Sequence, residues 1–467
     1  MEKMECQGLF RLLFELCFVS GFMLSAVAAG GSVGINYGRV ANNLPSAVKV
    51  VTLLKKQGID KVKIYDSDPA VLQALSGSGI SVVIGLPNEQ LFATARRQSA
   101  AEEWVSKNVA KYLPNTKITT IAVGNEVFVD PHNTTRYLIT AMQNVHSALV
   151  MYKIDDKVKV SSPIALSALQ TSYPSSAGVF KQDLAEVVMK PMLEFLRQTG
   201  SYLMVNAYPF FAYKDNADVI SLDYALFKPN AGVVDSGSGL QYTNLLDAQL
   251  DAVNAAMAAL KYGDVRTVVT ETGWPSKGDE NETGASLANA AAYNSNLVRR
   301  VLSGKGTPLR PQTPLEVYLF ALFNENKKNG PTSERNYGLF FPDEEKVYNV
   351  PLLMAKSGDD HKGSSPPVDV GSAAGGQSWC VASEEASEDQ LQAALDYACG
   401  EGGADCKEIQ PGASCYDPDT LKAHASFAFN SYYQKNARTT GTCDFHGAAY
   451  VVSQLPKFGK CALPTGF

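Results

Sequence analysis

The chain has 467 residues, of which 45% are hydrophobic and 19% are charged, and its 41 Lys and Arg against 47 Asp and Glu give a net charge of −6. This composition is typical of a globular protein and excludes a disordered chain. The length allows about three domains at most, although a large barrel fills about 250 residues by itself. Because nucleic-acid binders normally carry a basic excess, we predict that no nucleic acid is a partner.

The N-terminus has the pattern of a secretory signal peptide. Residues 9–27 are mostly apolar, carry only Arg11 and Glu15 as charged residues, and run into small residues. We therefore predict a signal peptide over 1–29, cleaved near Ala29. A transmembrane anchor is the alternative, since the segment is almost long enough to span a bilayer, but the small residues favour cleavage. The mature protein is expected to be secreted, in the extracellular space or cell wall, with no stable membrane anchor.

The eight cysteines are distributed unevenly along the chain. Cys6 and Cys17 lie in the predicted signal peptide and would be removed with it. An even number of cysteines crowded into a small secreted segment predicts three disulfides, and the residues alone leave their pairing open. No Cys-x-x-Cys pair occurs, so we expect no metal site. The six remaining cysteines are Cys380, Cys399, Cys406, Cys415, Cys443 and Cys461.

Residues 357–378 divide the chain into two parts. They are rich in Gly, Ser, Pro and Asp and offer little to bury, so we predict a flexible linker. The long segment between the predicted signal peptide and this linker has no cysteine and must be stabilised by its hydrophobic core alone. The cysteine-rich tail after it ends without a hydrophobic stretch, which predicts no glycosylphosphatidylinositol anchor.

Two Asn-x-Thr triplets begin at Asn133 and Asn281. This pattern is the acceptor for N-glycosylation in secreted proteins, although it is also common by chance. Both asparagines are predicted glycosylation sites.

Between the signal peptide and the linker, short apolar runs alternate with segments of helical periodicity. Alternation of continuous apolar strands with helices predicts a parallel sheet. Eight strands in about 320 residues predict a (β/α)8 TIM barrel, whose active site lies at the C-terminal ends of the strands. An open doubly wound sheet is the alternative, but no Gly-x-Gly-x-x-Gly follows the first strand. The predicted strands are 33–37, 61–66, 81–86, 118–124, 158–164, 202–207, 267–270 and 315–323, and the predicted helices are 45–57, 102–113, 136–152, 191–198, 245–260 and 285–302.

Two glutamates stand at the ends of predicted barrel strands. Glu126 ends the fourth strand and Glu271 ends the seventh, so in a barrel both would face one cavity. Two carboxylates about 5–5.5 Å apart can hydrolyse a glycosidic bond with retention of configuration. One would stay protonated and give its proton to the leaving oxygen, while the other would stay ionised and attack the sugar. Asn125 could hydrogen-bond the substrate's 2-hydroxyl. The alternative for each glutamate is a solvated loop residue or an ion pair.

A third acidic cluster follows the eighth predicted strand and contains Glu325, Lys328 and Glu334. A lysine among carboxylates lowers the pKa of its neighbours and can decide which one is ionised. An ordinary charged loop is the alternative for this cluster.

Several aromatic residues also lie near strand ends. Sugars expose apolar C–H faces, so aromatic side chains with a few polar anchors would form a polysaccharide site. The alternative is that some of them belong to the barrel core. These predicted substrate-binding aromatics are Tyr65, Tyr208, Trp274 and Phe323.

Five motifs resemble those of plant endo-1,3-β-glucosidases of glycoside hydrolase family 17. They are VGINYGR at 33–39, VGNE at 123–126, VNAYPFFAY at 205–213, ETGWPS at 271–276 and ALFNEN at 321–326. The resemblance covers residues 32–353 in order, and it implies a TIM barrel and a retaining mechanism. It also implies specific roles in the site: Glu126 as acid/base, Glu271 as nucleophile, Glu325, Lys328 and Glu334 as supporting residues, and Tyr65, Asn125 and Tyr208 as substrate contacts.

The tail domain, predicted over 379–464, resembles carbohydrate-binding module family 43 from Trp379 to Cys461. Leu391, Ala394, Leu395 and Ala398 lie on one face of a predicted helix, and aromatic residues of a second helix would complete a small core that three disulfides supplement. The resemblance implies a small disulfide-stapled α+β module that binds 1,3-β-glucan. It also implies the pairs Cys380–Cys443, Cys399–Cys406 and Cys415–Cys461.

Together these features predict a secreted, monomeric endo-hydrolase of 1,3-β-glucan, such as callose or fungal-wall glucan, that needs no cofactor. A non-catalytic glucan-binding wall protein is one alternative, which the intact pair of glutamates disfavours. A 1,3-β-glucan transglycosylase is another, because the same glycosyl-enzyme intermediate can be transferred to a sugar or to water.

Overall fold

The computed structural model describes residues 30–352 and, within 378–464, all residues except 384–385, 401, 437–441, 444, 446–447, 453–455, 457, 459–460 and 462. The chain forms two compact units that divide between Asp360 and His361. The predicted signal peptide and almost all of the predicted linker lie outside the described residues.

The first unit is built on one parallel sheet, whose strand order is β5-β4-β3-β2-β1-β9-β8-β7-β6. Only Ser162 separates β5 from β6, so these two edge strands are halves of one interrupted strand, and the sheet closes into an eight-stranded barrel. The predicted TIM barrel is confirmed, and the open sheet is excluded. The strands are β1 (Ser32–Asn36), β2 (Lys61–Lys63), β3 (Ser81–Leu86), β4 (Lys117–Val123), β5 (Lys159–Ser161), β6 (Pro163–Ala165), β7 (Leu203–Asn206), β8 (Thr267–Thr272) and β9 (Glu316–Leu319).

Helices lie between successive strands and cover the outside of the barrel. The helix α6 buries Met192, Leu193, Phe195 and Leu196, which form the apolar stripe of an amphipathic helix. Among the described residues, no helix is long and apolar enough to span a bilayer. The α-helices of this unit with four or more residues are α1 (Ala47–Lys56), α2 (Pro69–Ala74), α3 (Leu91–Arg96), α4 (Gln98–Val105), α5 (Leu138–Met151), α6 (Lys190–Gln198), α7 (Pro209–Asp215), α8 (Leu222–Ala225), α9 (Leu245–Ala259) and α10 (Leu287–Leu302).

Several short elements differ from the prediction. The second strand ends at Lys63 and the eighth at Leu319, since the chain leaves the sheet there to build loops at the barrel mouth. The predicted helix 102–113 begins earlier, at Gln98, and continues into a π-helical turn over Ser106–Ala110. The helix α2 was not predicted, although the sequence contains two start signals for it. Asp68 caps its first turn, and Pro69 is its first residue.

Two layers of side chains fill the barrel unit. Val83, Ala122, Met204, Val268 and Tyr318 come from five different strands and form a compact cluster inside the barrel. Alternate residues of the same strands pack in a larger cluster between the sheet and the helices. Because side chains alternate along a strand, the positions that continue the inner cluster toward the C-terminal ends of the strands point into the barrel mouth.

The second unit pairs two antiparallel strands, β10 (Trp379–Ala382) and β11 (Ala449–Val452), with two helices, α11 (Glu388–Cys399) and α12 (Leu421–Lys435). Its own core includes Leu391, Phe427 and Phe429. The helix α11 starts with a capping box between Ser387 and Gln390. Three disulfides join Cys380 to Cys443, Cys399 to Cys406 and Cys415 to Cys461, which is the pairing that the resemblance implied.

Candidate active site

A cleft of about 1080 Å³ crosses the C-terminal ends of the barrel strands. Its lining comes from the C-terminal ends of β6, β7 and β8 and from the segments that follow β1, β2, β4, β6, β7 and β9, so the fold collects side chains that are distant in sequence. Eight predicted site residues line this cleft together: Tyr65, Asn125, Glu126, Tyr208, Glu271, Glu325, Lys328 and Glu334.

Two predicted substrate contacts lie in the core, and this prediction is corrected. Trp274 is fully buried and donates a hydrogen bond from Nε1 to the carbonyl of Gly284 at 2.9 Å. Phe323 is 1% exposed and packs edge to face against Tyr37. Neither lines the cleft, because each ring fills space below the barrel mouth, where a large apolar surface is best removed from water.

The loop after β4 holds Glu126 in a restricted backbone conformation. Gly124 has φ +68°, and a Cβ at this position would lie 2.4 Å from Val127 Cγ2, so the turn requires glycine. The side-chain amide of Asn88 makes two hydrogen bonds to the backbone of Asn125. Its Oδ1 accepts from the Asn125 N–H at 2.8 Å, and its Nδ2 donates to the Asn125 carbonyl at 3.1 Å. Glu126 itself has φ +48°, a left-handed conformation that non-glycine residues adopt at a cost and that clusters at functional sites.

Glu126 has a neutral hydrogen-bond partner. Asn206 Nδ2 donates to Glu126 Oε1 at 2.9 Å. Burial raises the pKa of Glu126, the charge of Glu271 raises it further, and the Asn206 hydrogen bond and the charge of Lys63 only partly oppose this. A carboxyl with a raised pKa keeps its proton at a pH where ordinary glutamates have lost it, so Glu126 is suited to donate a proton.

A β-bulge turns Glu271 toward the cleft. Along β8, Val269 pairs with Val205 and Glu271 pairs with Asn206, so Thr270 is an extra residue in this strand. Regular alternation from the inward-facing Val268 would point Glu271 away from the barrel mouth. The extra residue reverses this, which is a common use of bulges next to active sites.

Glu271 has a cationic partner. Lys63 Nζ lies 2.7 Å from Glu271 Oε1, and Tyr208 Oη donates to Glu271 Oε2 at 2.8 Å. Lys63 is 1% exposed and Glu271 is 6% exposed, so the pair is shielded from solvent. Burial alone would raise the pKa of Glu271, but the charge and hydrogen bond of Lys63, with the hydrogen bond from Tyr208, lower it below its usual value. Glu271 is therefore suited to stay ionised.

The sequence analysis missed Lys63, which contacts Glu271, and Asn206, which contacts Glu126. Lys63 Nζ lies 3.5 Å from Asn125 Oδ1, and Asn206 Nδ2 lies 3.4 Å from the same oxygen. Lys61 and Lys63 alternate with the buried Val62 along β2, so the two lysines lie on one face of this strand, and this pattern was a signal that both point to the same side of the sheet.

The cluster after β9 forms a separate group at one side of the cleft. Lys328 Nζ lies 3.5 Å from Glu334 and 4.0 Å from Glu325. Glu325 accepts a hydrogen bond from the backbone N–H of Val40 at 2.7 Å, and burial raises its pKa although Lys328 opposes this. Lys63, and not Lys328, is thus the cation in contact with Glu271.

Aromatic side chains form the floor of the cleft between these groups. Tyr208 packs edge to face against Phe320 and Tyr337, with ring centroids 6.0 and 5.8 Å apart. Tyr65 also contacts Phe320, and its hydroxyl donates to Asn36 Oδ1 at 3.1 Å. This floor can receive the apolar face of a sugar ring, while the hydroxyl of Tyr208 fixes the position of Glu271.

Comparisons with known proteins agree with this geometry. Residues 33–352 match the model of glycosyl hydrolases family 17, and residues 378–450 match that of the X8 domain. The chain is 44% identical to glucan endo-1,3-beta-glucosidase 13 of Arabidopsis thaliana over 454 residues, which cover 97% of this chain and 88% of that protein. It is 42% identical to the glucan endo-1,3-beta-D-glucosidase of Olea europaea over 435 residues, or 93% of each protein.

A solved structure resembles the barrel unit. The β-1,3-glucanase and pollen allergen of Cryptomeria japonica is 44% identical and superposes with a TM-score of 0.67, covering 69% of this chain and 99% of that one. The family match spans the described barrel with both glutamates in its cleft, and the chain therefore belongs to family 17 of the glycosyl hydrolases.

Proposed function

We propose that this protein is an endo-acting hydrolase of 1,3-β-glucan that retains the anomeric configuration. The observation that carries the proposal is the pair of glutamates in one cleft with pKa values shifted in opposite directions, upward for Glu126 and downward for Glu271. Two carboxyls whose surroundings separate their pKa values are suited to act as an acid and a nucleophile. The substrate class comes from the family and from the names of its relatives.

In the first step, the ionised Glu271 carboxylate attacks the anomeric carbon and forms a covalent glycosyl-enzyme bond. The bond between that carbon and the glycosidic oxygen breaks, and Glu126 gives its proton to the departing oxygen. In the second step, Glu126, now a carboxylate, takes a proton from water, and the water oxygen displaces Glu271 from the sugar. Asn125, Tyr65 and Tyr208 line the same cleft, which supports the proposal that they contact the substrate.

The tail unit is proposed to hold the enzyme on insoluble glucan. It has its own core and three disulfides, and Tyr397 and Tyr450 expose about half of their surface to solvent. Exposed tyrosine rings suit the apolar faces of sugars. Tethering of this kind raises the local concentration of the barrel at the polymer, which fits a secreted enzyme of the cell wall or extracellular space.

Asn133 and Asn281 are both exposed, so their side chains are accessible for the N-glycosylation that we propose for a secreted protein. Mobility of the secreted protein on gels before and after enzymatic removal of N-glycans tests this. Single Asn→Gln variants would assign the sites.

The proposed activity is tested with a panel of 1,3-, mixed 1,3-1,4- and 1,4-linked β-glucans, with reducing-sugar release and product sizing. We expect internal cleavage of the 1,3-linked polymer, and NMR of fresh product should show the β-anomer first. Absence of reducing sugar from every 1,3-linked glucan would favour a non-catalytic wall protein. Products longer than the substrate, formed with excess acceptor, would favour transglycosylation. Sedimentation of residues 378–467 with insoluble 1,3-β-glucan tests the tail separately.

A further inference from the structure

The loop that carries Glu126 is held at both ends by backbone hydrogen bonds. The N–H of Gly124 donates to the carbonyl of Leu86, at the end of β3, at 2.8 Å. The N–H of Glu126 donates to the carbonyl of Pro163, at the start of β6, at 3.0 Å. These bonds fix the first and last residues of the tripeptide, and its middle residue is held by a side chain.

That side chain is Asn88, which bonds the middle of the loop with both ends of its amide. Its Oδ1 accepts from the N–H of Asn125, and its Nδ2 donates to the carbonyl of the same residue. Asn88 is half-buried and begins a 3₁₀ turn shortly after β3, and the described lining of the cleft does not include it. A role of Asn88 in the reaction would therefore pass through the loop and not through contact with the substrate.

The loop needs this support because its backbone is strained. Gly124 and Glu126 both have a positive φ, so two left-handed residues lie within three positions. A non-glycine residue keeps such a conformation only where its surroundings over-determine it. Asn88 also packs directly against the turn, since a Cβ on Gly124 would lie 2.9 Å from Asn88 Oδ1. Loss of the Asn88 amide would leave the middle of the loop free to relax and to move Glu126.

The residue that this amide holds lies between the partners of both glutamates. Asn125 Oδ1 is 3.5 Å from Lys63 Nζ and 3.4 Å from Asn206 Nδ2. Lys63 contacts Glu271, and Asn206 contacts Glu126. The position of the backbone at Asn125 therefore affects the same group of side chains that separates the acid from the nucleophile.

We propose that Asn88 is a positioning residue that places the Glu126 carboxyl for proton transfer, and this rests on the proposed function. Removal of the Asn88 amide leaves both carboxyls chemically intact and displaces only the loop that carries the acid. Proton transfer needs the carboxyl within hydrogen-bond reach of the leaving oxygen, and a displacement of about 1 Å can slow a reaction by about 10²-fold. Glu271 stands on β8, so its attack on the sugar should depend much less on Asn88.

The test measures the first chemical step of Asn88→Ala and of the native enzyme in single-turnover experiments. One substrate is a 1,3-β-gluco-oligosaccharide, and the other is an aryl 1,3-β-gluco-oligosaccharide with an acidic leaving group, which needs no proton. We expect about a 10- to 100-fold loss on the first substrate and a loss below about threefold on the second. In the background of Glu126→Gln, which has no acid to place, Asn88→Ala should add little to the loss on the first substrate.

Asn144→Ala is the matched control. Asn144 is also half-buried, and its Nδ2 donates to two backbone carbonyls of α3, those of Thr94 at 2.9 Å and Ala95 at 3.2 Å. Both variants thus lose two hydrogen bonds between a side chain and the backbone, and we expect Tm to fall to a similar extent in both. Only Asn88→Ala should separate the rates on the two substrates.

Three results would overturn the positioning role: equal losses on the two substrates, no loss on either, or the same separation of rates in Asn144→Ala. Absence of turnover by the native enzyme on every 1,3-linked substrate overturns the proposed function instead. A crystal structure of Asn88→Ala would then still test the geometry. We expect Glu126 to leave its left-handed conformation and its hydrogen bond to Asn206, and an unchanged loop would show that Asn88 does not position it.

Discussion

The surroundings of Glu126 and Glu271 differ in one decisive way. Both carboxyls are largely withdrawn from water, and burial pushes both pKa values upward. Glu126 accepts a hydrogen bond from the neutral amide of Asn206. Glu271 instead forms an ion pair with Lys63 and accepts a hydrogen bond from the hydroxyl of Tyr208. The contrast shows that burial alone does not separate an acid from a nucleophile; one buried cation in contact with one of the two carboxylates does.

Removal of the Glu271 carboxylate should have the largest effect on activity. Glu271→Gln keeps the shape of the side chain but cannot form the glycosyl-enzyme bond, so we expect kcat on a soluble 1,3-β-glucan to fall by about 10⁴-fold or more. Binding of insoluble glucan by the tail should persist. Residual activity close to that of the native enzyme would remove Glu271 from the nucleophile role.

The role of Glu271 can also be tested by giving the variant Glu271→Ala an external nucleophile. In Glu271→Ala, a small anion such as azide can occupy the space of the lost carboxylate and attack an activated aryl glucoside directly. A single displacement inverts the anomeric centre, so the expected product is the α-glycosyl azide, detected by NMR. Formation of the β-azide would instead assign Glu271 to the acid/base role.

Removal of the Glu126 carboxyl should have a large but selective effect. Glu126→Gln cannot protonate the leaving oxygen, and we expect about a 10²–10⁴-fold loss of kcat on natural glucan. An aryl glucoside with an acidic leaving group needs no proton for the first step, so that step should be much less impaired. The measurement is single-turnover kinetics on both substrates, and equal losses on the two would contradict the assignment.

The sequence analysis predicted the barrel and the glutamate pair because both depend on local patterns. Apolar strands alternate with helices, and each glutamate stands within three residues of the last apolar residue of a strand. It could not predict that Glu271 faces the cleft only because Thr270 is an extra residue in β8, since this register shift depends on pairing with β7. Nor does the type of residue distinguish Trp274, which lies in the core, from Tyr208, which lines the cleft.

Long-range partners were the other part that local patterns did not reveal. Lys63 and Glu271 are 208 positions apart, and only closure of the barrel brings them into contact. The sequence pointed to Lys328 as the cation that decides which carboxylate is ionised, because Lys328 stands near Glu325 and Glu334 in the chain. The structure assigns the contact with Glu271 to Lys63, while Lys328 contacts Glu325 and Glu334.

Lys63→Met would make the surroundings of the two carboxyls alike. Loss of the cation leaves Glu271 buried without its main stabilising charge, so its pKa should rise, and the acid limb of the kcat/KM profile should move to higher pH by about one unit or more. We expect about a 10- to 100-fold loss of kcat/KM near neutral pH. The free energy of unfolding should fall by about 3–5 kcal/mol, because one partner of a buried pair is removed.

Lys61→Met is the matched control for this variant. Lys61 lies on the same strand and the same face, and it pairs with Glu316 at 2.7 Å, where both side chains are partly exposed. Its loss should lower stability by less and should leave the acid limb of the pH profile unchanged. A similar shift of that limb in both variants would mean that the effect spreads through the fold and does not arise from contact with Glu271.

The smallest effect is expected from Asn206→Ala, which alters the other carboxyl. The Asn206 amide stabilises the ionised form of Glu126, so its loss should raise a pKa that is already high. Activity needs Glu126 protonated, and the alkaline limb of the profile should therefore move to higher pH, by less than about one unit, with a loss of kcat below about tenfold. The acid limb, which reports Glu271, should stay in place and serves as an internal control. Movement of the acid limb in place of the alkaline limb would show that Asn206 acts on Glu271, to which it is directly paired across the sheet.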